Sequence, residues 1–122
     1  MIIKGTFLAC IDNSGARTVQ CIHIFKKSSK SCAKIGDVLL VSVKRYAPNK
    51  KVKKGNLYKA ILVKTKNNIL KHGNNFICFN ESAVVLLNLR FVLLGTRILN
   101  PVSSKLREFG YFKILALAPI AV

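Results

Sequence analysis

Acidic residues are scarce in this chain. Only 4 of its 122 residues are Asp or Glu, against 21 Lys and Arg. General acid–base catalysis usually needs two titratable groups with separated pKa values. Asp12, Asp37 and Glu81 lie in predicted turns, and Glu108 can pair with the basic residues beside it. The sequence also contains no nucleophile elbow, phosphate-cradling glycine loop or HExxH motif. These absences argue against an enzyme.

Cysteines with metal-binding spacing are also absent. Cys10, Cys21, Cys32 and Cys78 include no CxxC pair, and neither histidine lies at the spacing of a zinc module. We interpret the four cysteines as small buried residues in a reducing compartment, and we predict no metal and no cofactor. Two alternatives remain open. One is a thiol or zinc enzyme that uses Cys10, Cys21, His23 and Cys32; the other is a disulfide between Cys10 and Cys21, which flank a predicted turn.

Long hydrophobic runs are missing. The longest cover residues 82–89 and 91–94, divided by Arg90, and neither reaches the roughly 20 residues of a bilayer-spanning helix. We therefore expect no membrane insertion, and the N-terminus does not resemble a secretory signal. Trp is absent while Lys, Asn, Ile, Leu and Phe are abundant. This is the bias of an AT-rich genome, and it favours an organelle-encoded protein.

High positive charge occurs together with enough apolar sequence for a core. The formal net charge is +17, and 51% of the residues are hydrophobic. Such a charge is self-repelling, so the compact state is favoured beside dense negative charge. A disordered basic tail would have few apolar residues. We therefore predict a single folded domain, residues 1–122, that binds a polyanion, with nucleic acid the foremost candidate.

The apolar residues follow the pattern of short β-strands. β-branched and aromatic runs bounded by Gly, Asn and Asp predict a mainly β fold, a small closed barrel. The predicted strands are 6–11, 18–25, 38–43, 57–66, 76–79, 83–88 and 111–118. Ser103 or Ser104 as an N-cap and Gly110 as a terminator predict a short helical segment at about 103–109.

Residues 50–54, between Pro48 and Gly55, form the tip of a predicted hairpin and include four lysines. No acidic residue lies between positions 38 and 80. Cations without counter-charges suit phosphate contacts, because each contact releases condensed counterions. Aromatic residues do not alternate with these lysines, which favours recognition of folded RNA through its backbone and shape. The alternative is a free-standing β-barrel that binds single-stranded nucleic acid through exposed aromatics on one face.

A series of short blocks occurs in order along the whole chain. The blocks are Asp12-Asn13-Ser14-Gly15-Ala16-Arg17, Ile35-Gly36-Asp37, 51–55, 83–88, 95–98 with 101–102 and 106–107, and Leu117-Ala118-Pro119. In order and spacing they resemble the universal large-subunit ribosomal protein family numbered fourteen. The resemblance implies a five-stranded closed β-barrel with a protruding β-ribbon at about 44–58 and a short C-terminal helical segment. It implies a structural role rather than a reaction.

The resemblance also implies partners. They are large-subunit rRNA, small-subunit rRNA across the subunit interface, and the neighbouring large-subunit protein numbered nineteen; a ribosome-silencing or assembly factor is a further candidate. The candidate rRNA-binding residues are Asn13, Ser14, Arg17, Lys44, Arg45, Lys50, Lys51, Lys53, Lys54, Lys59, Lys64, Lys66 and Lys71. The candidates for intersubunit or protein contacts are Thr96, Arg97, Lys105, Arg107, Phe91, Leu93 and Leu94.

The chain departs from the family pattern at three places, one of which is Asn80-Glu81-Ser82 in place of an Asp-x-Asn turn. Residues 71–80 lack an expected arginine, and residues 89–94 are more apolar than the expected polar loop. An exposed apolar patch favours aggregation, so we expect a protein partner to cover residues 91–94. Together with the biased composition and the lack of a presequence, this divergence resembles a mitochondrion-encoded member, located in the mitochondrial ribosome in the matrix.

Overall fold

A computed structural model describes residues 2–25, 32–67, 69–70 and 75–122. The strands are β1 (Phe7–Cys10), β2 (Ala16–Ile24), β3 (Val38–Tyr46), β4 (Leu57–Lys64), β5 (Ile69–Leu70), β6 (Phe76–Ile77) and β7 (Ala83–Leu87). Strands β1, β2, β3, β4 and β7 form a closed barrel in that order, and β5 pairs with β6 outside it. The predicted five-stranded barrel is therefore confirmed.

Two apolar clusters explain the long apolar runs of β4 and β7. One cluster fills the barrel interior and includes Leu39, Val41 and Leu62. The other lies on the outer face of β4 and β7, where Ile98, Val102, Leu106 and other C-terminal residues cover it. Both strands are thus buried on two faces, and a strand buried on both faces has a continuous rather than an alternating apolar pattern.

The C-terminal segment contains a 3₁₀ helix (Ser104–Phe109) and an α-helix, α1 (Phe112–Leu117). The predicted caps of the first are confirmed: the Ser103 side chain accepts a hydrogen bond from the Lys105 N–H at 3.3 Å, and Gly110 adopts the left-handed conformation with φ of 81°. The predicted strand at 111–118 is wrong. Its core-facing side chains, Tyr111, Ile114, Leu115 and Ala118, follow helical spacing.

The cysteines are free, and the hairpin register separates the two that flank its turn. Ala9 lies opposite Thr18 and Phe7 opposite Gln20, so Cys10 and Cys21 do not face each other. The hypothesis of a disulfide between them is therefore wrong. Burial and the neighbouring Asp12 raise the pKa of the Cys10 thiol, and burial raises that of Cys21. The interpretation of all four as buried residues holds fully only for Cys21, because Cys10 and Cys32 are half-buried and Cys78 is exposed.

Two features are absent from the part of the chain that the structure describes. None of its helices is long and apolar enough to cross a membrane. It also contains no group of three or more His, Cys, Asp or Glu side chains that could hold a metal ion. The cysteines and His23 proposed for a zinc enzyme therefore form no such group within the described ranges.

Candidate nucleic-acid interface

A group of exposed cations lies at one end of the barrel. Register pairs Ala16 of β2 with Tyr46 of β3, and Ser42 of β3 with Leu57 of β4. The start of β2, the end of β3 and the start of β4 therefore lie together. β2, β3 and the loop between β3 and β4 supply seven exposed basic side chains at this end, which we call the cationic end: Arg17, Lys44, Arg45, Lys50, Lys51, Lys53 and Lys54.

Carboxylates do not neutralise this surface. Asp12 is buried beneath it. Asp37 precedes β3 and Glu81 precedes β7, so both lie at the opposite end, where Asp37 accepts a hydrogen bond from the Lys34 N–H at 2.7 Å. Glu108 lies on the 3₁₀ helix. All four acidic residues of the chain are among those described, so no exposed carboxylate lies at the cationic end.

Residues 47–56 form a loop that is fixed to the barrel rather than a paired ribbon. The Val52 side chain is 1% exposed and belongs to the interior cluster. The Ala47 N–H donates to the Gly15 carbonyl at 2.7 Å, and the Gly55 N–H donates to the Val43 carbonyl at 2.9 Å. The Lys51 ammonium donates to the Leu94 carbonyl at 3.3 Å. The protruding part of the predicted ribbon is thus replaced by an anchored loop.

Gly15 permits the close approach of this loop. Its φ is +111°, and a Cβ there would lie 2.3 Å from the Lys50 Cβ. We expect Gly15→Ala to lower the free energy of unfolding by about 2 kcal/mol or more, because left-handed strain of about 1 kcal/mol adds to a clash with the loop. The matched control is Gly55→Ala, where φ is +84° and no atom lies within 4 Å of the added Cβ. Urea unfolding of both variants measures the difference, and equal losses would contradict a role for the close approach.

Asn13 joins the turn between β1 and β2 to the segment that follows residue 94. Its Oδ1 accepts hydrogen bonds from the Thr96 N–H at 2.8 Å and the Arg97 N–H at 3.1 Å, and its Nδ2 donates to the Thr96 hydroxyl at 2.9 Å. Asn13 and Thr96 border a cleft of about 500 Å³ that Lys50 and Lys51 also line. Residues predicted separately for rRNA contact and for protein contact are therefore neighbours here.

Asp12 is the buried centre of the same turn. Its Oδ1 accepts from the Ser14 hydroxyl and N–H and from the Cys10 thiol, and its Oδ2 accepts from the Leu86 N–H at 3.1 Å. The side-chain oxygen of Ser14 is 2.5 Å from Asp12 Oδ1, and the residue is 1% exposed. The polar groups of Ser14 and Asn13 therefore hold the turn and the segment after residue 94 in place, and their contact with RNA stays a prediction.

Four of the predicted rRNA-binding lysines lie away from the cationic end or outside the described residues. Lys64 is 6% exposed, and its ammonium is 3.3 Å from a Glu81 oxygen, because the end of β4 is buried on both faces. Lys59 is half-buried, with its ammonium 4.1 Å from the Phe91 ring centroid. Lys66 is exposed beyond β4 at the opposite end. Lys71 lies outside the described residues.

The residues predicted for protein contact lie mostly at the surface. Thr96, Arg97 and Arg107 are exposed, while Lys105, Leu93 and Leu94 are half-buried. Phe91 and Val92 are 58% and 54% exposed. Phe91, Val92 and Leu93 line one side of an apolar groove of about 400 Å³, and residues 110–114 line the other. We call it the C-terminal groove.

A turn that was not predicted from the sequence shapes this region. Asn88 Oδ1 accepts hydrogen bonds from the N–H groups of Arg90 at 2.8 Å and Val92 at 3.0 Å, and Phe91 has a φ of 62°. Asparagine commonly closes turns in this way. The position of Asn88 at the end of the predicted strand 83–88 was the available signal. The exposed aromatic rings lie on several elements, β1, the end of β3, β6, this turn and the C-terminal helices, rather than on one barrel face.

Comparison with known protein families gives a match along the whole chain. The family model described as Ribosomal protein L14p/L23e matches residues 1–122. The match therefore includes the cationic end, the anchored loop and both C-terminal helices. It is the family that the ordered sequence blocks indicated, so the resemblance seen in the sequence is confirmed.

Proposed function

The chain belongs to the Ribosomal protein L14p/L23e family, and from this we propose that its cationic end binds large-subunit rRNA. Membership makes the chain a structural constituent of the large ribosomal subunit rather than an enzyme, and places its work in a ribosome. The observation that supports the proposal is a set of exposed lysines and arginines, on strands and on a loop hydrogen-bonded to the barrel, with no carboxylate among them.

The anchored loop makes this surface suitable for phosphate. Val52 and the backbone hydrogen bonds hold residues 47–56 against the barrel before any ligand arrives. A loop that is already ordered loses less conformational entropy on binding. Arg17, Lys44, Arg45, Lys50, Lys53 and Lys54 are the side chains we assign to phosphate contacts. We assign two roles to Lys51: it contributes positive charge to the surface, and its ammonium holds the loop to residue 94.

Sedimentation of a lysate tests the proposed function. The chain and rRNA are followed on gradients at low and high salt. We expect co-migration with the large subunit that persists at high salt, because much of the basic surface would be buried against RNA. Release at modest salt, or migration away from ribosomes, would instead favour a free nucleic-acid-binding protein. The same experiment on purified mitochondria tests the proposed location in the mitochondrial ribosome, which the composition of the chain supports.

We propose that residues 91–94 and the C-terminal groove contact a neighbouring large-subunit protein, for which the protein numbered nineteen is the first candidate. The groove is lined mainly by aliphatic and aromatic side chains, which gain more from apolar protein residues than from phosphates. Thr96, Arg97, Lys105 and Arg107 are the polar residues proposed to face small-subunit rRNA or a silencing or assembly factor.

Site-specific photocrosslinking in assembled subunits tests the protein contact. A photoreactive amino acid replaces Val92, and the control replaces Phe7, which is 60% exposed on β1. We expect the probe at position 92 to form an adduct with a protein, and the same adduct to be absent from position 7. An adduct with RNA at position 92, or no adduct there, would show that this segment is not covered by a protein.

A further inference from the structure

The turn after β7 separates the C-terminal groove from a second cleft. This cleft has a volume of about 610 Å³ and is lined by Asn56, Leu57, Tyr58, Asn88, Leu89 and Arg90. One wall is the beginning of β4, which directly follows the anchored loop. The other wall is the turn itself. The cleft therefore continues the cationic end, but its lining differs in chemistry from the lysines beside it.

Two aliphatic side chains are unusually exposed at this cleft. Leu57 is 53% exposed and Leu89 is 75% exposed. Leu57 lies on the wall formed by β4, and Leu89 lies on the opposite wall, formed by the turn. Tyr58 is half-buried and packs against the interior cluster. Apolar surface next to a phosphate-binding region suits a ligand that has both a flat apolar part and a charged part. An unstacked nucleotide has both, and proteins recognise single-stranded bases in this way.

The cleft also offers polar groups that the fold does not use. Asn88 accepts two hydrogen bonds through Oδ1, but its Nδ2 donates to no described residue. Asn56 donates weakly to the Tyr58 hydroxyl at 3.5 Å, and its Oδ1 accepts from none of the residues described. One free donor and one free acceptor match the edge of a base, which presents both kinds of group. The exposed Arg90 adds a cation whose planar head suits phosphate.

We propose that this cleft receives an unstacked base of large-subunit rRNA. Leu57 and Leu89 contact the faces of the base, the amides of Asn56 and Asn88 contact its edge, and Arg90 contacts an adjacent phosphate. This inference rests on the proposed rRNA binding and adds a base-specific site to it. Charge favours RNA over a protein segment, because the cleft adjoins Lys53 and Lys54 and includes Arg90.

Chemical probing of rRNA in assembled subunits tests the site. Subunits carry the unchanged chain, Leu89→Asp, or the control Leu99→Asp, which alters a leucine that is 62% exposed and lies outside the cleft. Dimethyl sulfate reports on adenine and cytosine, and a carbodiimide reports on uracil and guanine. We expect one base to become about tenfold more reactive in Leu89→Asp subunits only, because its apolar contacts are lost. Identical reactivity in the two variants would overturn the proposal.

A photoreactive amino acid at position 89 provides a second measurement that does not depend on the aspartate variant. An adduct with an rRNA nucleotide is expected. An adduct with a protein, or none, would exclude a base from the cleft. Co-sedimentation with the large subunit distinguishes the two proposals. If the chain co-sediments with the large subunit but neither chemical probing nor crosslinking detects a base in the cleft, only the proposed base site is wrong. If the chain does not co-sediment with the subunit, the proposed function is wrong as well.

Discussion

Reversing the charge of Lys53 and Lys54 to Glu is expected to weaken binding to large-subunit rRNA by about 100-fold at 0.1 M salt. Each lysine–phosphate contact contributes roughly a tenfold gain in affinity at that salt through counterion release. Both side chains are exposed on the anchored loop, and neither holds the loop in place. The slope of log affinity against log salt should also become shallower by about 1.5. Titrating an rRNA transcript at several salt concentrations measures both quantities.

A control variant separates the effect of net charge on RNA affinity from the effect of where the charges lie. The control variant carries Lys4→Glu and Lys113→Glu, two exposed lysines outside the cationic end. Each substitution lowers the charge by two, so both double variants change +17 to +13. We expect the control to lose affinity by less than about threefold, because exposed charges more than a Debye length from the phosphates are screened. Equal losses would mean that net charge, rather than the cationic end, determines binding.

Asp12→Ala is expected to destabilise the fold by about 3–5 kcal/mol. The carboxylate accepts from the N–H groups of Ser14 and Leu86, from the Ser14 hydroxyl and from the Cys10 thiol. Alanine would leave several buried donors without an acceptor, and each such group costs about 1–3 kcal/mol. A domain of this size has only about 5–15 kcal/mol of stability. Urea unfolding at high ionic strength measures the decrease in the free energy of unfolding. If the variant shows no cooperative transition, the substitution has removed the whole stability of the fold.

Two comparisons identify the cause of that loss. Asp12→Asn keeps one acceptor oxygen, so it should destabilise less than alanine. Glu108→Ala removes an exposed carboxylate from the 3₁₀ helix, and we expect a change of less than about 0.5 kcal/mol. If Asp12→Ala lowered the free energy of unfolding as little as Glu108→Ala, the hydrogen bonds of Asp12 would not be what holds β7 to the turn between β1 and β2.

Local signals predicted much of the fold. Strand-like runs indicated all five barrel strands, and the turn at 12–15 is present between β1 and β2. Ser103 and Gly110 marked both ends of the 3₁₀ helix. The strand predicted at 111–118 failed because a short apolar run has no clear period, and its helical spacing became evident only from the side chains that meet the second cluster.

The candidate interface was predicted less completely than the fold. The run of lysines predicted the exposed cations of the loop, because no acidic residue between positions 38 and 80 could pair with them. Charge could not distinguish Lys64, which pairs with Glu81 in a buried position, from Lys66, which is exposed two residues later. The resemblance also assigned Asn13 and Ser14 to RNA without revealing that Ser14 binds Asp12 within the turn, or that Asn13 binds Thr96 and Arg97 across it. Whether a polar side chain is free depends on partners that are distant in the chain.

Composition and local pattern by themselves determined that this chain folds as a β-barrel with a strongly cationic surface, because strand propensity and net charge are properties of neighbouring residues. The ordered blocks determined its family. Only the tertiary structure decided that the basic loop is anchored by Val52, Gly15 and the Leu94 carbonyl, and that one turn divides an apolar groove from a cleft beside the cations. These features join residues far apart in the chain, and register and packing bring them together.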